Sequence, residues 1–163
     1  MIQMQKLKIK MFERRRNGFT IIELLVVVAI IAMLASAALA LFSQVRVKAR
    51  DATREQNTKT LQTALNLYAT NSRKYPASSV LGTCTPSADC STISSCGEPI
   101  TNTSQAGSLL VQDGSLPSIP ADPINQGNYK FYYSSDSLSY TISYCLETSS
   151  IPQKSAGLNQ ATP

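Results

Sequence analysis

The sequence predicts an α+β chain: one long N-terminal helix packed on a small C-terminal antiparallel β-hairpin or sheet, with loops held by disulfides. Three observations predict it. All seven glycines and eight prolines lie outside residues 19–75, so 57 consecutive residues carry no strong helix breaker. Near the C-terminus, aromatic and β-branched residues alternate in two short runs separated by turn residues. Between these regions and within the second run lie four cysteines, Cys84, Cys90, Cys96 and Cys145, all downstream of the helix.

The helix is preceded by a basic leader, residues 1–18. Lys6, Lys8, Lys10, Arg14, Arg15 and Arg16 against Glu13 account for the whole net charge of +5. From Phe19 onward nine basic residues face nine acidic ones. The charge therefore belongs to the leader and gives no support for nucleic-acid binding by the rest of the chain.

Residues 24–42 are nineteen residues without a charge. As a helix they extend about 28 Å, enough to cross a bilayer. A secretory signal has a shorter apolar core followed by a small-residue cleavage site. Ala35-Ser36-Ala37 imitates such a site, which leaves release after Ala37 as a competing reading. Six basic residues ahead of the span place the leader in the cytoplasm. Arg46, Lys48, Arg50, Arg54 and Lys59 follow the span and pull the other way, so the cysteines carry part of the orientation argument.

Residues 43–75 continue the helix in water-soluble form. Arg46, Lys48, Arg50, Asp51, Arg54, Glu55 and Lys59 solubilise it, and Leu61, Ala64, Leu65 and Tyr68 form a stripe at i, i+3, i+4, i+7 that needs a partner. Tyr75-Pro76 ends the helix, because proline lacks a donor and disfavours helical backbone before it.

Residues 76–152 form the head domain. Up to residue 127 the chain is rich in Ser, Thr, Pro, Gly and Asn, a loop composition. The hairpin covers 128–146. Its first strand is 128–133, with Tyr129, Phe131 and Tyr133 alternating; its turn is 134–137; its second strand is 139–146, with Tyr140, Ile142, Tyr144 and Leu146 alternating. Residues 153–163 read as a polar, mobile tail.

An even number of cysteines in a small exported domain reads as two disulfides, with three connectivities open. A zinc site fits poorly, because the chain has no histidine and Cys84, Cys90 and Cys96 are not closely paired. The lack of histidine also removes the commonest general base, and no serine or cysteine can be matched to a base, so the chain reads as a non-enzyme.

The stretch Arg14-Arg15-Arg16-Asn17-Gly18-Phe19-Thr20-Ile21-Ile22-Glu23-Leu24-Leu25 places a carboxylate near the start of an apolar helix. Such a group in hydrocarbon costs about 2–3 kcal/mol near mid-membrane and normally has a partner. A carboxylate near the headgroups would instead stay hydrated. The stretch resembles the class III signal of type IV prepilins and type II secretion pseudopilins. The resemblance implies a pilin-like fold, cleavage between Gly18 and Phe19 by a membrane-embedded prepilin peptidase, and N-methylation of Phe19. It also implies that Glu23, with Thr20, acts in assembly, Glu23 neutralising the terminal amine of a neighbouring subunit and setting axial register. The partners so implied are copies of itself and other minor pilins in a helical filament, the peptidase, an inner-membrane assembly platform, and the bilayer before assembly. The precursor would then be a single-pass membrane protein, and the assembled subunit part of a filament outside the cytoplasm.

Leu116-Pro117-Ser118-Ile119-Pro120-Ala121-Asp122-Pro123 resembles the loop before the C-terminal strands of major pseudopilins, which binds calcium in some of them. That makes Asp122 a candidate ligand, with Asp113 and Asp136 as companions. A turn started by Asp122-Pro123 is the plainer alternative, and no cofactor is otherwise expected. Ile124 stands where that family has an aromatic residue, and the helix lacks the membrane-half proline of many pilins. A major pseudopilin and a membrane-anchored binding module that never polymerises are the competing functional readings.

Overall fold

In the computed structural model the described residues are 18–82 and 84–163. The expected leader lies outside them except for Gly18. The described residues fall into two compact units, divided between Ala40 and Leu41. Helix α1, Ile21–Ser72, runs 52 residues, as the absence of glycine and proline predicts.

In the first unit the helix carries no charge beyond Glu23 in its first turn. Its best window has mean hydropathy 2.9 with nothing of it buried, and it is the one helix among the described residues long and apolar enough to cross a membrane.

In the second unit the helix packs on a four-stranded antiparallel sheet ordered β1-β2-β3-β4. The strands are β1 (Glu98–Pro99), β2 (Tyr132–Ser135), β3 (Tyr140–Leu146) and β4 (Gly157–Ala161). Leu61, Ala64 and Leu65 are buried with Phe131, Tyr133, Tyr140, Ile142, Tyr144 and Leu146 in one apolar cluster, with Tyr68 packed against it. The stripe thus meets the face of the sheet predicted for it. The opposite face carries Tyr132, Cys145 and Leu158, covered by Ile93, Cys96, Cys84 and Cys90. Adjacent residues on a strand point to opposite faces, so Tyr132 and Tyr133 enter different clusters and all four residues of β2 are buried.

Both disulfides form: Cys84 with Cys96, and Cys90 with Cys145. They lie under this second face, where the loop composition offers little apolar volume. A helix, α2 (Gln105–Gln112), interrupts the loop-rich region. Ser104 Oγ caps it, accepting from the Gly107 amide at 3.2 Å, and its Ala106 and Leu110 fill the main core. At Gly107 a Cβ would stand 1.9 Å from the Thr101 carbonyl oxygen, so only glycine fits.

Three expectations are corrected. Helix α1 ends at Ser72 rather than at Tyr75, because Arg73 turns left-handed at φ 58° and its amide closes on the Ala69 carbonyl at 2.8 Å. The hairpin turn falls later than expected. Asp136 Oδ1 accepts from the Leu138 and Ser139 amides at 2.9 and 2.7 Å, which centres the reversal on 136–139 and makes Ser134 and Ser135 strand residues. The tail is not loose: Gly157–Ala161 is strand β4, paired with β3 from Leu146↔Gly157 to Ile142↔Ala161. Its composition is poor for a strand. Pairing to β3 and burial of Leu158 override that, and Gln160 Nε2 adds a bond to the Cys84 carbonyl at 2.9 Å.

Candidate functional site

Gly18, Phe19 and Thr20 precede the first helical turn and are exposed. Thr20 is the N-cap. Its Oγ1 accepts from the Glu23 amide at 3.3 Å, while Glu23 Oε2 accepts from the Thr20 amide and the Thr20 hydroxyl, each at 2.8 Å. This reciprocal arrangement is a capping box, satisfying two amides that a helix start leaves open. The sequence reading placed Thr20 and Glu23 together in assembly. Their bonding to each other was missed, although Thr-x-x-Glu before an apolar run is its signal.

The box fixes the start of the helix at Ile21, so the bond between Gly18 and Phe19 lies in non-helical chain. A Cβ added at Gly18 would meet nothing within 4 Å. The fold therefore makes no demand for glycine there. Glu23 Oε1 has no bond among the described residues, so one carboxylate oxygen stays available to a cation.

A second constellation lies in the head. Arg54 is fully buried on α1. Its Nε reaches Asp122 Oδ2 at 2.7 Å and its Nη2 reaches Asp122 Oδ1 at 3.1 Å. Its Nη1 donates to Asp51 Oδ1 at 2.8 Å and to Glu147 Oε1 at 2.6 Å. The guanidinium also lies 4.6 Å from the centroid of the Tyr129 ring. Asp51 is satisfied in turn by the Glu147 and Thr148 amides and the Thr148 hydroxyl. Arg50 closes the cluster with a two-point bond to Glu147 at 2.8 and 2.5 Å.

Burial works against the Arg54 charge, but hydrogen bonds to Asp122 and Glu147 outweigh it and hold the proton more firmly than usual. The bond from Arg50, with help from Arg54, draws the Glu147 carboxyl down to about 2 against partial burial. The reading of Arg50, Asp51 and Arg54 as solubilising residues is thereby corrected. A helix carrying them at this density meets carboxylates from the loop and from the end of β3, and neutralises them inside the fold.

The candidate calcium ligands are not brought together. Asp122 spends both oxygens on Arg54 and on the Ile124 and Asn125 amides. Asp113 accepts from Asn71 and Ser115, and Asp136 holds the hairpin turn. Among the described residues no group of three His, Cys, Asp or Glu side chains is arranged to hold a metal.

With this geometry in view, residues 14–39 match the family model described as the prokaryotic N-terminal methylation motif. The chain carries a type IV pilin-like class III signal. No curated protein and no solved structure matches it. The match covers the Gly18–Phe19 bond, the capping box and most of the apolar span, and ends before the head. It supports a type IV pilin or pseudopilin-type subunit, handled by a prepilin peptidase and built into a filament, with a membrane-anchored precursor.

Proposed function

We propose that the protein is a structural subunit of a type IV pilus-like filament with no catalytic role. The peptidase cuts between Gly18 and Phe19 and the new Phe19 amine is methylated. Subunits then leave the membrane and pack through their apolar helices against copies of themselves and minor pilins on an inner-membrane platform. The order Gly18-Phe19-Thr20-Ile21-Ile22-Glu23 at the head of the apolar helix carries this reading. A plain anchor has no use for a glycine the fold does not require, nor for a carboxylate at the start of its span.

Cleavage creates a positive amine four residues before Glu23, and the free Oε1 of Glu23 suits the amine of a neighbouring subunit. A buried pair of this kind sets register more than it adds strength, because desolvation offsets much of the attraction. Mass spectrometry of the subunit sheared from cells tests the proposal. A methylated N-terminus at Phe19 in a filament fraction supports it. An uncut chain, or one released after Ala37, overturns it, and a processed subunit never found in filaments points to the anchored binding module.

A further inference from the structure

Five basic residues follow the span up to Lys59, and the fold uses three of them. Arg50 pairs with Glu147 at 2.5 Å, Arg54 is enclosed by Asp51, Asp122 and Glu147, and Lys59 reaches Glu55 at 3.8 Å. Arg46 and Lys48 are exposed and have no hydrogen bond or ion pair among the described residues. Both stand on the same continuous helix as Phe42, the last residue of the apolar stretch before Ser43 and Gln44. At 1.5 Å per residue, Arg46 lies about 6 Å and Lys48 about 9 Å beyond it.

The polar headgroup zone adds roughly 5–7 Å to each side of the hydrocarbon core. Long basic side chains reach into that zone while their stems cover apolar surface. Leu41, Phe42 and Val45 are 67%, 56% and 58% exposed, so the head leaves this segment uncovered. Residues two apart lie on nearly opposite sides of a helix, so Arg46 and Lys48 do not both face one flat protein partner. A lipid surface surrounds the helix and meets both.

We infer that Arg46 and Lys48 form a collar binding anionic lipid phosphates on the extracytoplasmic face of the bilayer, setting the depth of the subunit before assembly. This rests on the membrane-anchored reading of the precursor. Lipid binding gives these two charges a role on the side of the span where basic residues otherwise oppose correct insertion.

The test is lipid selectivity of the full chain in phosphatidylcholine vesicles containing phosphatidylglycerol. Spin-labelled phosphatidylglycerol and phosphatidylcholine are compared for association with the protein. The leader is identical in every variant, so differences report residues 46 and 48 alone. The double variant Arg46→Gln/Lys48→Gln is expected to lose preference for phosphatidylglycerol, by up to about fivefold per charge removed. Arg46→Lys/Lys48→Arg is expected to keep it, and raised salt to weaken it in the wild type. Equal selectivity in wild type and the Gln variant overturns the inference. So does a Gln variant that keeps its lipid preference but loses cross-linking between copies, which assigns the charges to a neighbouring subunit. A chain washed from the vesicles by carbonate overturns the membrane reading as well, whereas a retained chain with unchanged selectivity overturns the collar alone.

Discussion

Arg54 and Asp122 are 68 residues apart in sequence and joined by two hydrogen bonds, 2.7 and 3.1 Å, at a point where both side chains are essentially fully buried. Asp122 lies in the loop that precedes the C-terminal strands, so this pair ties that loop to the helix. Replacing a buried pair by apolar groups can be neutral, but removing one partner leaves an uncompensated charge, at a cost of about 3–5 kcal/mol. Arg54→Met strands Asp51 and Asp122 together and is expected to cost at least that much in denaturant unfolding followed by circular dichroism. Asp122→Asn, which leaves Asp51 and Glu147 on the guanidinium, is expected to cost less.

The same pair bears on calcium. A divalent ion at Asp122 would have to displace a guanidinium already bonded to both oxygens, and Asp113 and Asp136 are engaged elsewhere. We propose that Arg54 supplies the cation this loop requires. Thermal unfolding is then expected to be unchanged by calcium or by a chelator. A calcium-dependent rise in melting temperature would refute this.

Glu147 gives the cluster a pH signature. Its folded-state value of about 2 lies below its ordinary 4.5, chiefly through Arg50. Between these values the unfolded chain binds the proton and the folded chain does not, so stability from this group is full above about pH 4.5 and is lost as pH falls toward 2. Glu147→Gln is expected to reduce the slope of unfolding free energy against pH within that window. Near neutral pH the variant is destabilised, because Arg50 and Arg54 lose a charged acceptor.

Much of the head was legible in the amino-acid pattern because its signals are local. Leu61, Ala64 and Leu65 repeat at helical spacing, Tyr140 to Leu146 alternate at strand spacing, and these are the surfaces that meet. Strand β4 was not legible, since Asn159 and Gln160 have low strand propensity and owe their conformation to the edge of β3. Helix α2 was hidden because Gly107 and Ser108 sit inside it, and Gly107 is there for close contact with Thr101, which no helical pattern encodes. Arg54 was misjudged for the same reason: a charge on a helix is read as solvated unless its partners, here 68 and 93 residues away, are known. At the N-terminus the residues were found but not their bonding, the hydroxyl of Thr20 having been assigned to assembly alone.

The two disulfides are expected to differ in weight. They close sequence separations of 55 residues for Cys90 with Cys145 and 12 for Cys84 with Cys96. On loop-closure entropy these correspond to about 4 and about 3 kcal/mol. Cys90→Ser/Cys145→Ser is therefore expected to lower unfolding stability more than Cys84→Ser/Cys96→Ser. The order is strengthened because Cys145 lies on β3, in the middle of the sheet, whereas Cys84 and Cys96 lie in loops.

The capping box separates two roles of Glu23. Within one chain its carboxylate holds the Thr20 amide and hydroxyl; between subunits its free oxygen is proposed to meet an amine. Thr20→Val keeps the β-branched shape and removes the hydroxyl, so it weakens the helix start by about 1 kcal/mol, whereas Thr20→Ser preserves the cap. Faster amide exchange at Glu23 in Thr20→Val, but not in Thr20→Ser, is the expected result. Both variants retain Gly18 and Phe19 and are expected to be cut normally. Glu23→Val removes both roles, and normal cleavage with little filament recovered is expected from it. If Glu23→Val and Thr20→Val lose filaments equally while Thr20→Ser assembles, the cap rather than the intersubunit pair is what assembly requires. If Thr20→Val assembles and Glu23→Val does not, the second oxygen of Glu23 has the decisive partner in another subunit.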